Sequence, residues 1–200
     1  MPLGDSITEG VNGGYRVGLW RRLRADGFTI DYVGSQHDEY AAIPDQDHEG
    51  HPGFTVGDIM DEAEAWIAES KPDYILLLAG TNDLAWWNVE GPDVTAERFG
   101  ALLDLIHAAA PEVQVIVGSL PPMEGENEQG DARATLVEAY NAAIADHVRV
   151  RAANGMRVSF ADLNAVLSVA DLYDGIHPDE AGYEKIAEEW YRALTALPGF

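Results

Sequence analysis

Apolar residues along the chain follow two spacings, one typical of β-strands and the other typical of α-helices. Nearly continuous apolar runs occupy residues 73–79 and 113–118, and more mixed runs occupy 29–34 and 156–161. Continuous apolar runs of strand length are typical of parallel strands that are covered on both faces. The two continuous runs are therefore predicted to lie inside a sheet, and the two mixed runs at its edges.

Between these runs, apolar residues recur at intervals of three and four, which predicts four amphipathic helices. The stripes are Val56, Ile59, Met60, Ala63 and Ile67; Phe99, Leu102, Leu103, Ile106 and Ala110; Leu136, Tyr140, Ala143, Ile144 and Val148; and Tyr183, Ile186, Ala187, Trp190 and Leu194. Thr55 and Asp58 have the spacing of a capping box, Asp179 can cap the last helix, and Pro111 is expected to end the second.

The alternation of strands and helices predicts an α/β fold, specifically a three-layer α/β/α sandwich formed by one domain over residues 1–200. We expect a five-stranded parallel sheet with the flavodoxin-like order 2-1-3-4-5. This order requires a first strand in the middle of the sheet, and the only candidate is the short run at residues 1–4. A central strand averages about five or six residues, so the prediction includes further residues, a signal peptide among them, ahead of Met1.

Composition narrows the partners that the chain can have. The sequence has 35 acidic and 12 basic residues, a formal net charge of -23, and no cysteine. Such a charge repels nucleic acid and anionic membrane surfaces, so neither is an expected partner. The lack of cysteine removes disulfides, thiolate metal sites and a cysteine nucleophile. No apolar run approaches the roughly 20 residues of a membrane-spanning helix.

Candidate chemistry follows the predicted strands, where the sites of parallel α/β sheets gather. Ser6 follows the first strand, and Asp174 and His177 lie three residues apart in the loop after the last. A serine becomes a nucleophile when a histidine removes its proton, and a carboxylate holds that histidine in the required tautomer. These three residues are therefore predicted to be catalytic, although an isolated Asp-x-x-His pair is more often a helix cap or a surface pair.

An attacked carbonyl also needs hydrogen-bond donors for its developing negative charge. The predicted donors of this oxyanion hole are the backbone N–H of Ser6, the backbone N–H of Gly53 and the side-chain amide of Asn82. They come from three loops that the fold brings to one edge of the sheet. The alternatives are a plain turn glycine at 53 and an ordinary Asx-turn at 82.

Several blocks of the sequence resemble the SGNH (GDSL-type) hydrolases, a family named for Ser, Gly, Asn and His, found here as Ser6, Gly53, Asn82 and His177. The stretches MPLGDSITEG, GGYR, DYVGSQ, HEGHPGFT and DGIHPDEAGYEKIAEEWY are similar to acetyl xylan esterases of carbohydrate esterase family three. Phe54 stands where the family usually has Trp, which preserves an aromatic wall.

The resemblance implies a serine carboxylesterase that removes acetyl groups from acetylated xylan or a related saccharide through an acyl-enzyme, without a metal or organic cofactor. It also implies secretion, while a cytoplasmic location and the oligomeric state stay open. Phe54, Trp86 and Trp87 are weaker candidates for substrate binding, because aromatic faces suit sugar stacking. For either tryptophan, packing beneath the loop is an equal alternative.

Other readings of the same residues remain open. A general short-chain esterase, lysophospholipase or thioesterase could use the same fold, and a non-catalytic saccharide-binding domain or a flavin binder could keep it. No G-x-S-x-G elbow occurs, which disfavours the other common serine-hydrolase architecture. Residues 45–51 crowd acidic and histidine side chains that could bind a metal ion, although a loop that braces the oxyanion hole is the favoured reading.

Overall fold

A central β-sheet organises the computed structural model, which describes residues 1–86, 91–127 and 130–200. Six strands occur in these residues: β1 (Pro2–Gly4), β2 (Gln36–His37), β3 (Asp47–Gly50), β4 (Tyr74–Leu78), β5 (Gln114–Gly118) and β6 (Val158–Ala161). Their order is β2-β3-β1-β4-β5-β6. All neighbouring pairs are parallel except β2 and β3, which are antiparallel.

Helices cover both faces of this sheet. They are α1 (Ser6–Glu9), α2 (Gly14–Ala25), α3 (Val56–Ser70), α4 (Thr81–Ala85), α5 (Pro92–Ala109), α6 (Arg133–Ala153), α7 (Leu163–Val166) and α8 (Glu180–Thr195). The long helices α2 and α8 pack together, and α5 packs between α3 and α6. Within the three described ranges, no helix combines the length and the apolar character needed to span a membrane.

The predicted α/β class and the parallel order of the five main strands are confirmed, since β3-β1-β4-β5-β6 is the order 2-1-3-4-5. The predicted strand count is wrong, because the described residues form six strands and the antiparallel β2 adds an edge. The placement of strand two at 29–34 is also wrong, because that segment contains no strand and residues 47–50 take its place. Strand β3 was missed because its sequence, DHEG, is polar, although His48 and Glu49 are buried.

The short strand β1 lies in the middle of the strand order. Its carboxyl end places Ser6 at the edge of the sheet where the parallel strands end. Leu3 is fully buried and pairs with Glu49 of β3 on one side and Leu77 of β4 on the other. Gly4 is tightly enclosed, because a Cβ there would lie 2.1 Å from the Leu78 carbonyl oxygen and 2.5 Å from Thr8 Oγ1. Only glycine fits between these two groups.

We predict opposite effects on stability for alanine at two glycines. Gly4→Ala should lower the free energy of unfolding by about 1–3 kcal/mol or prevent folding, because the new methyl group overlaps backbone atoms that cannot move aside. Gly57→Ala should raise it by about 0.5–1 kcal/mol, because Gly57 lies inside α3 and an added Cβ would have only ordinary contacts at 3.6 Å and beyond. Urea unfolding measures both, and a neutral Gly4→Ala would contradict the packing described here.

Candidate active site

Ser6 begins α1 directly after the central strand β1. Asp5 caps this helix, because its Oδ1 accepts a hydrogen bond from the Ile7 N–H at 2.9 Å. The N–H groups of a helix's first turn have no partner within the helix, so the Ser6 N–H stands at an end where negative charge is favoured. The local fold thus places a hydroxyl and a backbone donor at the same residue.

Ser6, His177 and Asp174 form a continuous hydrogen-bonded chain. The Ser6 Oγ lies 2.9 Å from Nε2 of His177, and Nδ1 of the same ring lies 2.7 Å from Oδ2 of Asp174. A carboxylate beside Nδ1 favours the tautomer that carries its proton there, which leaves the Nε2 lone pair facing the serine hydroxyl. The three predicted catalytic side chains therefore meet in the order that proton transfer from Ser6 requires.

The Asp174 carboxylate is held by the loop that carries His177. Its Oδ1 accepts hydrogen bonds from the backbone N–H groups of Ile176 and His177, at 3.0 Å and 2.8 Å. Partial burial works to raise the pKa of Asp174, but the backbone and ring donors of His177 outweigh it, so the pKa lies below its ordinary value. Asp174 therefore stays ionised beside the imidazole at neutral pH.

The predicted oxyanion-hole segments are joined by short contacts. The His51 N–H donates to the Gly4 carbonyl at 2.9 Å, which ties the 51–54 segment to the end of β1. The Asn82 side-chain amide donates to the Phe54 carbonyl at 2.9 Å. This bond uses one amide hydrogen of Asn82 and leaves the second free to point elsewhere. Gly53 has φ of +83°, a conformation that favours glycine.

Asn82 lies in the short helix α4, whereas the sequence predicted no helix there. The next residue, Asp83, is buried, and its Oδ2 accepts a hydrogen bond from the Val56 N–H at 2.9 Å. This bond connects α4 to the first residue of α3, which follows the Gly53 segment. Two neighbouring side chains of α4 thus fix the position of the 53–56 segment.

A buried acid that the sequence did not single out as a site residue supports the same segment. Glu49 is fully buried. Its carboxylate accepts hydrogen bonds from the Ser35 N–H at 2.7 Å and from the Ser35 hydroxyl at 2.6 Å, and it lies 2.6 Å from His51 Nε2. The His51 ring has stacked contacts with Phe54 and with Trp66, and those two rings also lie 6.4 Å apart. The polar pattern HEGH was the only sequence signal of this network.

Arg16, in α2, is a second buried charged residue that supports the site. It is fully buried, and its guanidinium donates to the carbonyl oxygens of Thr8 and Glu9 at 3.2 Å and 2.8 Å. These carbonyls end α1, so Arg16 holds the helix that begins with Ser6. Its ion pair with Asp38, at 3.3 Å, joins α2 to the segment after β2.

Two of the three aromatic candidates for substrate binding lie within the described residues. Phe54 is partly buried and packs against His51, with ring centroids 4.8 Å apart. Trp86 is exposed, and the Arg133 guanidinium lies 4.9 Å from its ring centroid. Trp87 lies outside the described residues. One face of the Trp86 ring is therefore already covered by a cation.

The acidic and histidine side chains of residues 45–51 pair with other groups of the protein. Asp45 accepts from the Tyr32 N–H at 2.6 Å, and Asp47 lies 3.0 Å from Nδ1 of His37. The buried His48 ring accepts from the Gly50 N–H at 3.1 Å through Nδ1, and burial lowers the pKa of His48 to about 3. Across residues 1–86, 91–127 and 130–200, no three acidic or histidine side chains converge as metal ligands would.

Asp5 makes stability depend on pH in a direction that can be worked out. Burial raises its pKa from 3.8 to about 6. The folded state therefore binds more protons than the unfolded state between these values, so the contribution of Asp5 to stability falls as the pH rises through that window. Across this window Asp5 is expected to lower the free energy of unfolding by roughly 3 kcal/mol, since each pKa unit corresponds to about 1.4 kcal/mol.

The variant Asp5→Asn tests this because asparagine also caps helices but does not ionise. We expect its free energy of unfolding to rise relative to wild type between about pH 4 and pH 7. Urea unfolding at several pH values measures the difference, with Asp61→Asn on the exposed face of α3 as the matched control. If the free energies of unfolding of wild type and Asp5→Asn changed with pH in parallel, the buried carboxyl of Asp5 would not be the cause of the pH dependence.

Comparisons with known proteins show which family the chain belongs to. The family model of the GDSL-like Lipase/Acylhydrolase family matches residues 3–185. A solved family 3 carbohydrate esterase of Clostridium thermocellum is 35% identical, with a TM-score of 0.84, over 100% of this chain and 98% of that one. A family 3 carbohydrate esterase of Talaromyces cellulolyticus is 31% identical, with a TM-score of 0.84, over 98% and 95% of the two chains.

A longer relative is similar over nearly the whole chain. The multidomain esterase of Ruminococcus flavefaciens is 31% identical over 97% of this chain, which spans only 28% of that protein. A second relative, from Acetivibrio thermocellus, is 29% identical over 72% of this chain and 62% of its own length. The resemblance found in the sequence is thereby confirmed: the chain belongs to the GDSL-like lipase/acylhydrolase family and is similar to its family 3 carbohydrate esterases.

Proposed function

We propose that the chain is a serine esterase domain, formed by residues 1–200, that removes acetyl groups from acetylated xylan or a related saccharide. The observation that carries the proposal is the chain of hydrogen bonds from Ser6 through His177 to Asp174 at the end of the central strand. This arrangement suits nucleophilic attack on an ester. The similarity to carbohydrate esterases supports a saccharide ester. Secretion is proposed only on the family resemblance described in the sequence analysis.

In the proposed first half-reaction, Ser6 Oγ attacks the acetyl carbonyl carbon while His177 Nε2 takes the hydroxyl proton. The oxyanion that forms is stabilised by the N–H groups of Ser6 and Gly53 and by the second amide hydrogen of Asn82. The C–O bond to the sugar then breaks, and the proton moves from Nε2 to the departing sugar oxygen. Asp174 stabilises the imidazolium throughout.

In the second half-reaction, His177 takes a proton from water as the water oxygen attacks the acetyl-Ser6 carbonyl. The same donors stabilise the second oxyanion. Collapse of this intermediate breaks the bond to Ser6 Oγ, which recovers its proton from Nε2, and acetic acid leaves and ionises to acetate in water. Only residues of this chain carry the protons, so the proposal needs no cofactor.

The surroundings of Ser6 favour a hydrophilic leaving group. A cavity of about 610 Å³ opens beside Ser6 and His177, and most of its lining side chains are polar or charged, among them Glu9, Asn12 and Asp38. Burying a long hydrocarbon chain against such groups would remove them from water without replacement hydrogen bonds. Sugar hydroxyls can form those bonds, which supports a saccharide ester over a lipid ester.

We predict a preference for acetyl over longer acyl groups. The kcat/KM for an aryl acetate should exceed that for the aryl octanoate by about tenfold or more, since the polar lining gains little from a longer chain. Acetate release from acetylated xylan should be detectable under the same conditions. Equal or faster cleavage of the octanoate would favour the general esterase or lysophospholipase reading instead.

A further inference from the structure

Two neighbouring cavities share part of their lining beside the proposed nucleophile. The first cavity, of about 610 Å³, contacts Ser6, Glu9 and His177, and the second, of about 590 Å³, contacts Arg21, Ala42 and Glu180. Both are lined by Val11, Asn12, Tyr173 and Tyr183. Because these four residues border both spaces, the two cavities lie side by side, and the first of them reaches Ser6.

An exposed aromatic ring stands where the cavities meet. Tyr173 is 58% exposed, and its ring stacks on the His177 imidazole with centroids 5.7 Å apart and planes at 18°. The Tyr173 N–H also donates to the His177 carbonyl at 3.0 Å, so the ring is held in register with the proposed base. An exposed tyrosine face beside polar groups is suited to stacking on a sugar ring.

The opposite border is a backbone turn with unusual geometry. Asn12 has φ of +54° and ψ of +33°, a left-handed conformation that is uncommon for residues other than glycine. Its glycine neighbours are pressed against the protein, since a Cβ on Gly13 would lie 2.8 Å from the Ala41 Cβ and one on Gly14 would lie 3.0 Å from the Tyr183 ring. The turn thus keeps an exposed amide at the junction of the cavities.

Charge limits what the two cavities can bind. Glu9, Asp38 and Glu39 line the first cavity, and Glu180 and Glu184 line the second, while Arg21 adds one positive charge to the second. Asp38 and Glu184 form ion pairs with Arg16 and Arg22, so the excess negative charge comes from the other carboxylates. Carboxylates accept hydrogen bonds from hydroxyl groups but repel other carboxylates. The two cavities are therefore suited to a neutral saccharide chain rather than to one that carries uronic acids.

We infer that the two cavities form one saccharide groove, in which the first holds the sugar that bears the ester and the second holds a further sugar of the same chain beyond Tyr173. This inference rests on the proposed function, since it assigns the leaving-group side of the same site. Ester cleavage needs only the first cavity, whereas preference for oligosaccharides needs both. The dependence of affinity on saccharide length therefore tests the groove separately from ester cleavage.

Binding of the unacetylated products tests the groove without requiring hydrolysis. Calorimetry with xylose, xylobiose and xylotriose on the wild-type protein should give a Kd that falls by about tenfold or more from one sugar to three, which corresponds to about 1.4 kcal/mol. A xylotriose that carries glucuronic acid should bind more weakly than the neutral one. Equal affinities for xylose and xylotriose would overturn the groove.

Two variants localise the effect to the second cavity. Ala42→Trp should fill part of that cavity and remove most of the gain in affinity between xylose and xylotriose, and Arg21→Ala should reduce the gain with less risk to folding. Val150→Trp, on the exposed face of α6, is the matched control and should keep the gain. Circular dichroism checks that each variant is folded. A full gain in both folded cavity variants would contradict the inference.

Measuring hydrolysis and binding on the same protein separates this inference from the proposed function. A protein that cleaves aryl acetate but binds xylotriose no better than xylose would retain the function and lose the groove. A protein that gains affinity with chain length but cleaves no acetyl ester would retain the groove as a saccharide site and lose the esterase function.

Discussion

Ser6→Ala is expected to lower kcat for an aryl acetate by about 10⁴-fold or more, because the reaction loses its nucleophile while the donors of the oxyanion hole remain. KM should change little, since the hydroxyl is proposed to act in the chemical step. Steady-state kinetics with enzyme purified free of host esterases measures the change. The fold should survive, because Ser6 is not part of the buried core and alanine is tolerated in helices.

The matched control for this experiment is Ser70→Ala. Ser70 ends α3 and lines a separate cavity near the start of β1, so its removal should leave kcat within about twofold of wild type. Retention of most activity by folded Ser6→Ala would remove Ser6 from the mechanism and, with it, the assignment of His177 as its base.

Asp174→Asn is expected to lower kcat by about 10³- to 10⁴-fold. An asparagine amide can donate a hydrogen bond to Nδ1, which favours the tautomer whose Nε2 carries the proton and cannot accept one from Ser6. The new side chain also lacks the charge that stabilises the imidazolium. The pH dependence of kcat should change as well, which a purely structural role of Asp174 would not produce.

Asp179→Asn provides a control from the same region of the chain. Asp179 caps α8 through a hydrogen bond from the Gly182 N–H at 2.8 Å, and asparagine caps helices about equally well. Activity and stability of this variant should therefore remain close to wild type. If Asp179→Asn and Asp174→Asn had the same effect on kcat, general disturbance of the loop would explain both.

The site could be located from the sequence because parallel sheets gather chemistry at one edge. The runs before Ser6 and Asn82 predicted strands, and the topology then required their following loops to meet. The structure does bring Ser6, Asp174 and His177 into hydrogen-bond contact. Their catalytic roles remain predictions, which the Ser6 and Asp174 variants test, and the roles of the three oxyanion donors remain predictions as well.

The second strand could not be predicted because its residues violate the pattern of a buried strand. Glu49 is charged yet fully buried, and what compensates its burial is Ser35, which lies 14 residues earlier in the chain. Apolar periodicity carries no information about such a distant pairing. The segment at 29–34 has the more strand-like composition, but β3 rather than this segment occupies the place beside β1.

Arg16 illustrates the same limitation. Arginine is almost never fully buried unless its charge is paired and its donors are satisfied. From the sequence alone, Arg16 is therefore expected to be exposed. Its partners here are carbonyl oxygens at the end of α1 and the carboxylate of Asp38. These acceptors become neighbours only after the chain has folded, and the sequence therefore could not reveal that Arg16 supports the helix of Ser6.

Labelling with a fluorophosphonate probe is the sharpest test of whether Ser6 is the nucleophile, because this reagent reacts irreversibly with an activated serine. We expect peptide mapping to find the label on Ser6, aryl acetate hydrolysis to fall in proportion to labelling, and Ser6→Ala to take up no label. Loss of hydrolysis with Ser6 unmodified, or labelling of another serine in parallel with that loss, would exclude Ser6 as the nucleophile.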